Sequence, residues 1–166
     1  MRAGVALGSN LGDRLAALTN ARRAIFALAV AEPPLLSSSL YETEPVDCEK
    51  GAEKFLNAVI ELGFNSPPHE LLRELQRIEN ALGRPSIHEF NRSRTIDLDL
   101  LYHGSHTVDQ PHLTLPHPRA QLRAFVLAPL AEIRPNLILP NERKTVRQLA
   151  DELGPMPSVV RLSLQW

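Results

Sequence analysis

From Ile96 to Leu100 the chain alternates apolar and acidic residues without a break: Ile96, Asp97, Leu98, Asp99, Leu100. Strict alternation predicts a strand, because successive side chains of a strand point to opposite faces of a sheet. Ile96, Leu98 and Leu100 then have to cover a core, which turns Asp97 and Asp99 the other way, ~7 Å apart along the strand. Two anionic oxygen donors side by side on a rigid element suit a hard cation such as Mg²⁺. Arg92 and Arg94 lie just upstream, so an anion fits the same place. Carboxylates, guanidinium groups and a divalent cation together point to phosphate chemistry. An amphipathic strand whose solvent face carries two acids would look the same, and the residues alone leave both readings open.

At 166 residues the chain is long enough for one domain, 1–166, with one sizeable core. Its net charge of −1 provides no broad basic field to hold nucleic acid, so any phosphate site must be local. A single cysteine, Cys48, excludes an internal disulfide framework and permits a reducing compartment. Arg22-Arg23 followed by the apolar run Ala24–Ala31 imitates a targeting signal. The run is far shorter than the ~20 residues a membrane span needs. It reads instead as the buried end of an amphipathic helix, and a cytoplasmic protein without a membrane partner is expected.

Arg2–Leu7 predicts a strand and Gly8–Asp13 a turn with Asn10 as N-cap, followed by a helix to about Ala29 that Pro33-Pro34 breaks. Strands are predicted at Leu36–Tyr41 and Phe55–Phe64. A helix opening at Ser66-Pro67-Pro68 buries Leu71, Leu72, Leu75, Ile78 and Leu82 and stops at Gly83. After a polar loop at 84–95 comes the acidic strand, then an extended piece from Val108 to Leu115. A helix over Arg119–Leu127 is ended by Pro129. A short strand at Leu137–Leu139, a helix capped by Thr145 and a strand within Val159–Leu164 complete the chain. This order predicts an α+β fold: a ferredoxin-like α/β sandwich with a mainly antiparallel sheet and helices on its faces.

The strand at 55–62 has two faces, Leu56, Ala58, Ile60 and Leu62 against Phe55, Asn57, Val59 and Glu61. An aromatic beside an amide suits a flat heterocycle, by stacking and by pairing with a donor–acceptor edge. It also suits an ordinary half-exposed strand. Arg84, Arg92 and Arg94 can act as a phosphate clamp or as a solvated basic loop. His117 stands at a helix entrance, where anions are attracted, with Arg123 about two turns in; a cap and a surface charge would read the same. Phe125 is core by composition. His103 and His106 have a zinc-compatible spacing, but a zinc site needs further ligands, so a turn pair is expected. The Gly8–Gly12 loop is followed by no Gly-Lys-Ser/Thr and reads as a tight turn.

Together these pieces resemble one family, the 6-hydroxymethyl-7,8-dihydropterin pyrophosphokinases of the folate pathway. The matching stretches are Ala6–Gly12, Ser38–Thr43, Phe55–Val59, Gln76–Glu79 with Gly83-Arg84, Arg94–Asp99, Leu115–Pro118 and Arg123–Leu130. They follow the family's order from about residue 5 to residue 140. Phe55 stands where tyrosine is frequent, Pro118 likewise, and Phe90–Ser93 holds no tryptophan where the family often places one.

The resemblance implies transfer of pyrophosphate from ATP to the pterin hydroxymethyl group, releasing AMP. Asp97 and Asp99 would hold two Mg²⁺ ions brought with ATP, and Arg84 and Arg94 would join them as the catalytic set. Phe55 and Phe125 would sandwich the pterin, Asn57 would pair with its edge, and Gly8, Thr43 and Val46 would complete that pocket. Gln76, Glu79, Arg84, Arg92, Arg94, Thr114, His117 and Arg123 would line the ATP side. The loops at 44–54 and 84–95 would close over the site, and a monomer is expected. Two other readings stay in view: a small nucleotidyltransferase, which would release pyrophosphate, and a non-catalytic ferredoxin-like binding module.

Overall fold

The longest strand, β4 (Phe55–Phe64), organises the molecule, with β1 (Arg2–Ser9) antiparallel along one side of it. The structure, a computed structural model, describes residues 1–28, 31–45, 52–83, 95–154 and 158–166. On the other side of β4, its second half pairs with β2 (Ala31–Ser37) and its first half with β3 (Tyr41–Thr43). Beyond β1 lies β5 (Asp97–His103), and beyond β3 lies β8 (Val159–Arg161). The sheet runs β5-β1-β4-β3-β8, with every pairing antiparallel. With α1 (Arg14–Phe26) and α2 (Pro68–Ala81) as connections, this is the expected ferredoxin-like α+β arrangement. A separate hairpin joins β6 (Val108–Gln110) to β7 (Leu113–Leu115), so the expected extended piece folds back on itself at Pro111-His112.

Both faces of the sheet carry helices. Val5, Leu7, Ile60, Leu62, Leu98 and Leu100 pack with Leu18 and Ile25 of α1 and Leu71, Leu75 and Ile78 of α2. On the opposite face Val59, Leu101 and Tyr102 pack against α3 (Ala124–Ile133) and α4 (Val146–Glu152). Among the described residues no helix is long and apolar enough to cross a membrane.

Several local expectations are corrected. Asp13, not Asn10, caps α1: its Oδ1 accepts from Ala16 N–H at 3.0 Å, while Asn10 is buried and donates to the Glu53 carbonyl. The helix ends at Phe26, short of the prolines. Pro33 and Pro34 sit within β2, which among the described residues pairs on one side only, and the register slips there between Glu32 and Leu36. Edge position and bulge remove the need for a proline N–H. The strand expected over Leu36–Tyr41 is thus divided between β2 and β3. The helix expected over Arg119–Leu127 starts as a 3-10 turn at Ala120–Leu122, and α3 proper continues through Pro129 to Ile133. A mid-helix proline costs ~3 kcal/mol or more. Burial of Val126, Leu127 and Leu130, each contributing roughly 1.5–3 kcal/mol, outweighs it. Leu137–Leu139 forms no strand, only a bridge between Ile138 and Thr145. Glu61, expected on a half-exposed face, is fully buried, where Arg2 Nε (2.8 Å), Arg134 Nε (3.5 Å) and the Tyr102 hydroxyl surround its carboxylate.

Candidate active site

Strand register assembles the candidate site. Gly8 of β1 is the pairing partner of Asn57 on β4 and of Asp97 on β5, and Asn57 is in turn opposite Tyr41 on β3. Directly opposed residues of neighbouring strands share a face. Asp97, Gly8, Asn57 and Tyr41 therefore form one row across the sheet, on the side that α3 covers in part. The next row holds Asp99, Ala6 and Val59. With strands ~4.8 Å apart, Asp97 and Asn57 lie about 10 Å from each other at the backbone, with Gly8 between them. A Cβ on Gly8 would stand 3.1 Å from Asn57 Oδ1 and 3.8 Å from the Phe55 ring. The bare glycine keeps that floor low.

The amide end of the row is fixed by its own hydrogen bond. Asn57 is buried, and its Nδ2 donates to Thr43 Oγ1 at 2.7 Å, which leaves Oδ1 on the Gly8 side. Thr43 is itself opposite Phe55. Phe55 is half-buried, as is Phe125 in the first turn of α3, so each keeps aromatic surface outside the core. Phe125, expected in the core by composition, packs only at its margin.

The acidic end is half-buried too, and it faces cations. Arg123 Nη1 approaches Asp99 Oδ2 at 3.8 Å, and the same guanidinium stands 5.3 Å from the centre of the Phe125 ring. One arginine thus links the acid pair to the aromatic wall. His117 N–H donates to the Leu101 carbonyl at 2.8 Å, which fixes the turn against β5 beside the aspartates. Its Nδ1 accepts from Arg119 N–H at 3.2 Å, which assigns the ring proton to Nε2. Burial, then the Arg123 and Arg119 charges, hold the imidazole down at about 4, with Asp97 opposing. His117 is a neutral N–H donor at ordinary pH.

The remaining expected residues are distributed around this row. Glu79 of α2 is buried, and its Oε1 accepts from Leu98 N–H at 2.7 Å, so it holds the backbone between the two aspartates. Gln76 is exposed on the same helix. Thr114 of β7 lines an open cavity of about 330 Å³ with Asp109, Gln121 and Glu142. Val46, Arg84, Arg92 and Arg94, with Cys48, lie outside the described residues, as does most of each expected closing loop. His103 and His106 face each other, Nδ1 to Nδ1 at 3.1 Å; among the described residues no group of three His, Cys, Asp or Glu gathers as a metal site. A carboxylate pair is still a suitable donor set for Mg²⁺, which is commonly bound by one or two carboxylates with substrate phosphates completing the shell. Sequence reasoning missed Ser39, Glu132 and Arg161, which converge behind Tyr41. Their mutual contacts span 29 to 122 residues and have no local signature.

Comparison with known proteins identifies the family. The family described as 7,8-dihydro-6-hydroxymethylpterin-pyrophosphokinase matches residues 4–135. The 2-amino-4-hydroxy-6-hydroxymethyldihydropteridine pyrophosphokinase of Haemophilus influenzae is 38% identical over 150 residues, covering 89% of this chain and 92% of that one. The protein of the same name from Bacillus subtilis is 44% identical over 129 residues, 78% of this chain and 75% of its own. Among solved structures, Plasmodium falciparum HPPK-DHPS with pteroate superposes with a TM-score of 0.70 at 15% identity. It covers 92% of this chain, which spans 42% of that longer one, and it supports the fold.

Proposed function

Because the chain belongs to the 7,8-dihydro-6-hydroxymethylpterin-pyrophosphokinase family, enzymes of folate synthesis, we propose that the Asp97–Gly8–Asn57 row is its active site. There the pyrophosphate of ATP passes to the hydroxymethyl group of 6-hydroxymethyl-7,8-dihydropterin. The hydroxymethyl oxygen attacks the β-phosphorus in line, a new O–P bond forms, and the bond from β-phosphorus to the bridging oxygen breaks. AMP departs with that oxygen, and the hydroxyl proton is released.

The shared pairing of Asn57 and Asp97 with Gly8 carries this reading, because it sets a ring-reading end and a phosphate-reading end one glycine apart. At the first end Asn57, oriented by Thr43, offers an amide to the pterin edge, with Phe55 and Phe125 as ring surfaces. Gly8 lets the ring lie close to the backbone. Val46, outside the described residues, would complete this pocket. At the other end Asp97 and Asp99 would hold two Mg²⁺ ions. When bound, the ions neutralise phosphate charge and align the two oxygens of an in-line displacement. Arg123, already near Asp99, and the neutral Nε2–H of His117 orient phosphate oxygens. Arg84 and Arg94 stabilise the charge that shifts to the leaving group. Gln76, Glu79 and Thr114 line the ATP side, and Arg92, outside the described residues, would join them. Residues 1–166 act as one catalytic domain and as a cytoplasmic monomer, without nucleic acid or membrane.

The identity of the small product tests the reading. With ATP, Mg²⁺ and the hydroxymethyl pterin, AMP should accumulate in step with pterin consumed. Release of free pyrophosphate would identify a nucleotidyltransferase instead, and no pterin-dependent turnover would leave a binding module.

A further inference from the structure

Resting on that functional reading, we infer that Arg161, in the terminal strand β8, is a positioning residue for the pterin slot, acting through Glu132 and Tyr41. Arg161 lies beyond residues 4–135, the part of the chain that the family match covers. Its guanidinium divides its donors: Nε donates to Ser39 Oγ and Nη2 to Glu132 Oε1, both at 2.9 Å. Glu132, in the last turn of α3, accepts at the same oxygen from Ser39 Oγ (2.8 Å). Its other oxygen accepts from Ser39 N–H (2.9 Å) and from the Tyr41 hydroxyl (3.1 Å). Burial and the Glu132 charge raise the Tyr41 phenol to about 12, so it remains a donor.

These bonds tie together the elements that bound the slot. Tyr41 and Thr43 belong to β3; Tyr41 is opposite Asn57, and Thr43 Oγ1 accepts from the Asn57 amide. Phe125 stands at the other end of the helix that carries Glu132. The cluster therefore fixes α3, with its aromatic wall, relative to the β3–β4 floor. The chain end reinforces it: β8 pairs along β3, Leu162 N–H donates to the Leu40 carbonyl (2.8 Å), and Trp166 Nε1 donates to the Ser38 carbonyl (2.9 Å). Asp97 and Asp99 lie on β5, at the far edge of the sheet, with β1 and β4 intervening. Loss of Arg161 should thus disturb the pterin end of the row, which β3 bounds directly through Tyr41 and Thr43, far more than the ATP end, which the cluster reaches only along α3 to Arg123.

The Arg161 side chain is 62% exposed, so its removal leaves folding close to intact. The experiment titrates 6-hydroxymethylpterin and Mg²⁺-ATP separately onto wild type, Arg161→Ala and Arg161→Lys, with thermal melts of each. For Arg161→Ala, pterin affinity is expected to fall about fivefold and ATP affinity to stay within about twofold, a split that general destabilisation does not produce. Lysine can meet Glu132 but lacks the fork that also reaches Ser39, so Arg161→Lys should fall between. Unchanged pterin affinity in Arg161→Ala, or equal weakening of both ligands, overturns the inference. A wild type that binds no pterin overturns the functional reading beneath it.

Discussion

At Gly8 the sheet brings an amide from one neighbour and a carboxylate from the other to the same backbone position. Adding a methyl group there would press on Asn57 Oδ1 at 3.1 Å, and such overpacking costs roughly 1–3 kcal/mol. Gly8→Ala should therefore weaken pterin binding about tenfold while ATP binding changes far less. Equal affinity for the pterin would mean that the ring does not lie over this floor. His117 makes a pH prediction. Its imidazole is held at about 4, below the ordinary 6.5, so between those values the unfolded chain binds a proton that the folded chain refuses. Stability is full above about pH 6.5 and falls as pH drops towards 4. Burial lowers His103 in the same direction, so bulk unfolding reports both groups, and the ring must be followed individually by NMR. The His117 ring is expected to stay neutral down to about pH 5; a midpoint near 6.5 would show that neither its burial nor the charges of Arg123 and Arg119 hold it down.

Elements position what residues perform. The outer edge of β5 would leave Leu98 N–H without a strand partner, and Glu79 of α2 supplies the acceptor at 2.7 Å. Glu79→Ala should destabilise the protein by about 1–3 kcal/mol in urea titrations. Glu79→Gln, which keeps an acceptor oxygen, should recover most of that, and equal losses in both variants would rule out this hydrogen bond as the cause. The alternation of Ile96–Leu100 made β5 and its two faces legible without any structure. The same pattern says nothing about what lies beside it. A slip of one residue in register would put Asp97 opposite a different face of β1, and only long-range packing chooses. Local signals failed where tertiary burial opposed them. Pro129 reads as a stop, yet α3 runs through it because its apolar residues bury on the sheet. Pro33-Pro34 reads as a breaker, yet an edge strand tolerates it.

For the molecule as a whole, the ferredoxin-like order was readable from the succession of periodic segments. The grouping of Asp97, Asp99, Asn57 and Phe55 on one face followed from strand periodicity and from the family resemblance combined. The Glu132 cluster was not readable, because it is made of residues that meet only once β8 has closed the far edge of the sheet. The central claim is that one row of the sheet serves two substrates from its two ends. Steady-state AMP release with the hydroxymethyl pterin and Mg²⁺-ATP, comparing wild type, Asp97→Ala and Asn57→Ala, tests it most directly. Asp97→Ala should lower kcat by at least about 10²-fold, because charge stabilisation of the transferring phosphate is lost. Asn57→Ala should raise the pterin KM by about tenfold and leave the ATP KM nearly unchanged. Near-normal turnover in Asp97→Ala, or a shared rise of both KM values in Asn57→Ala, would contradict it.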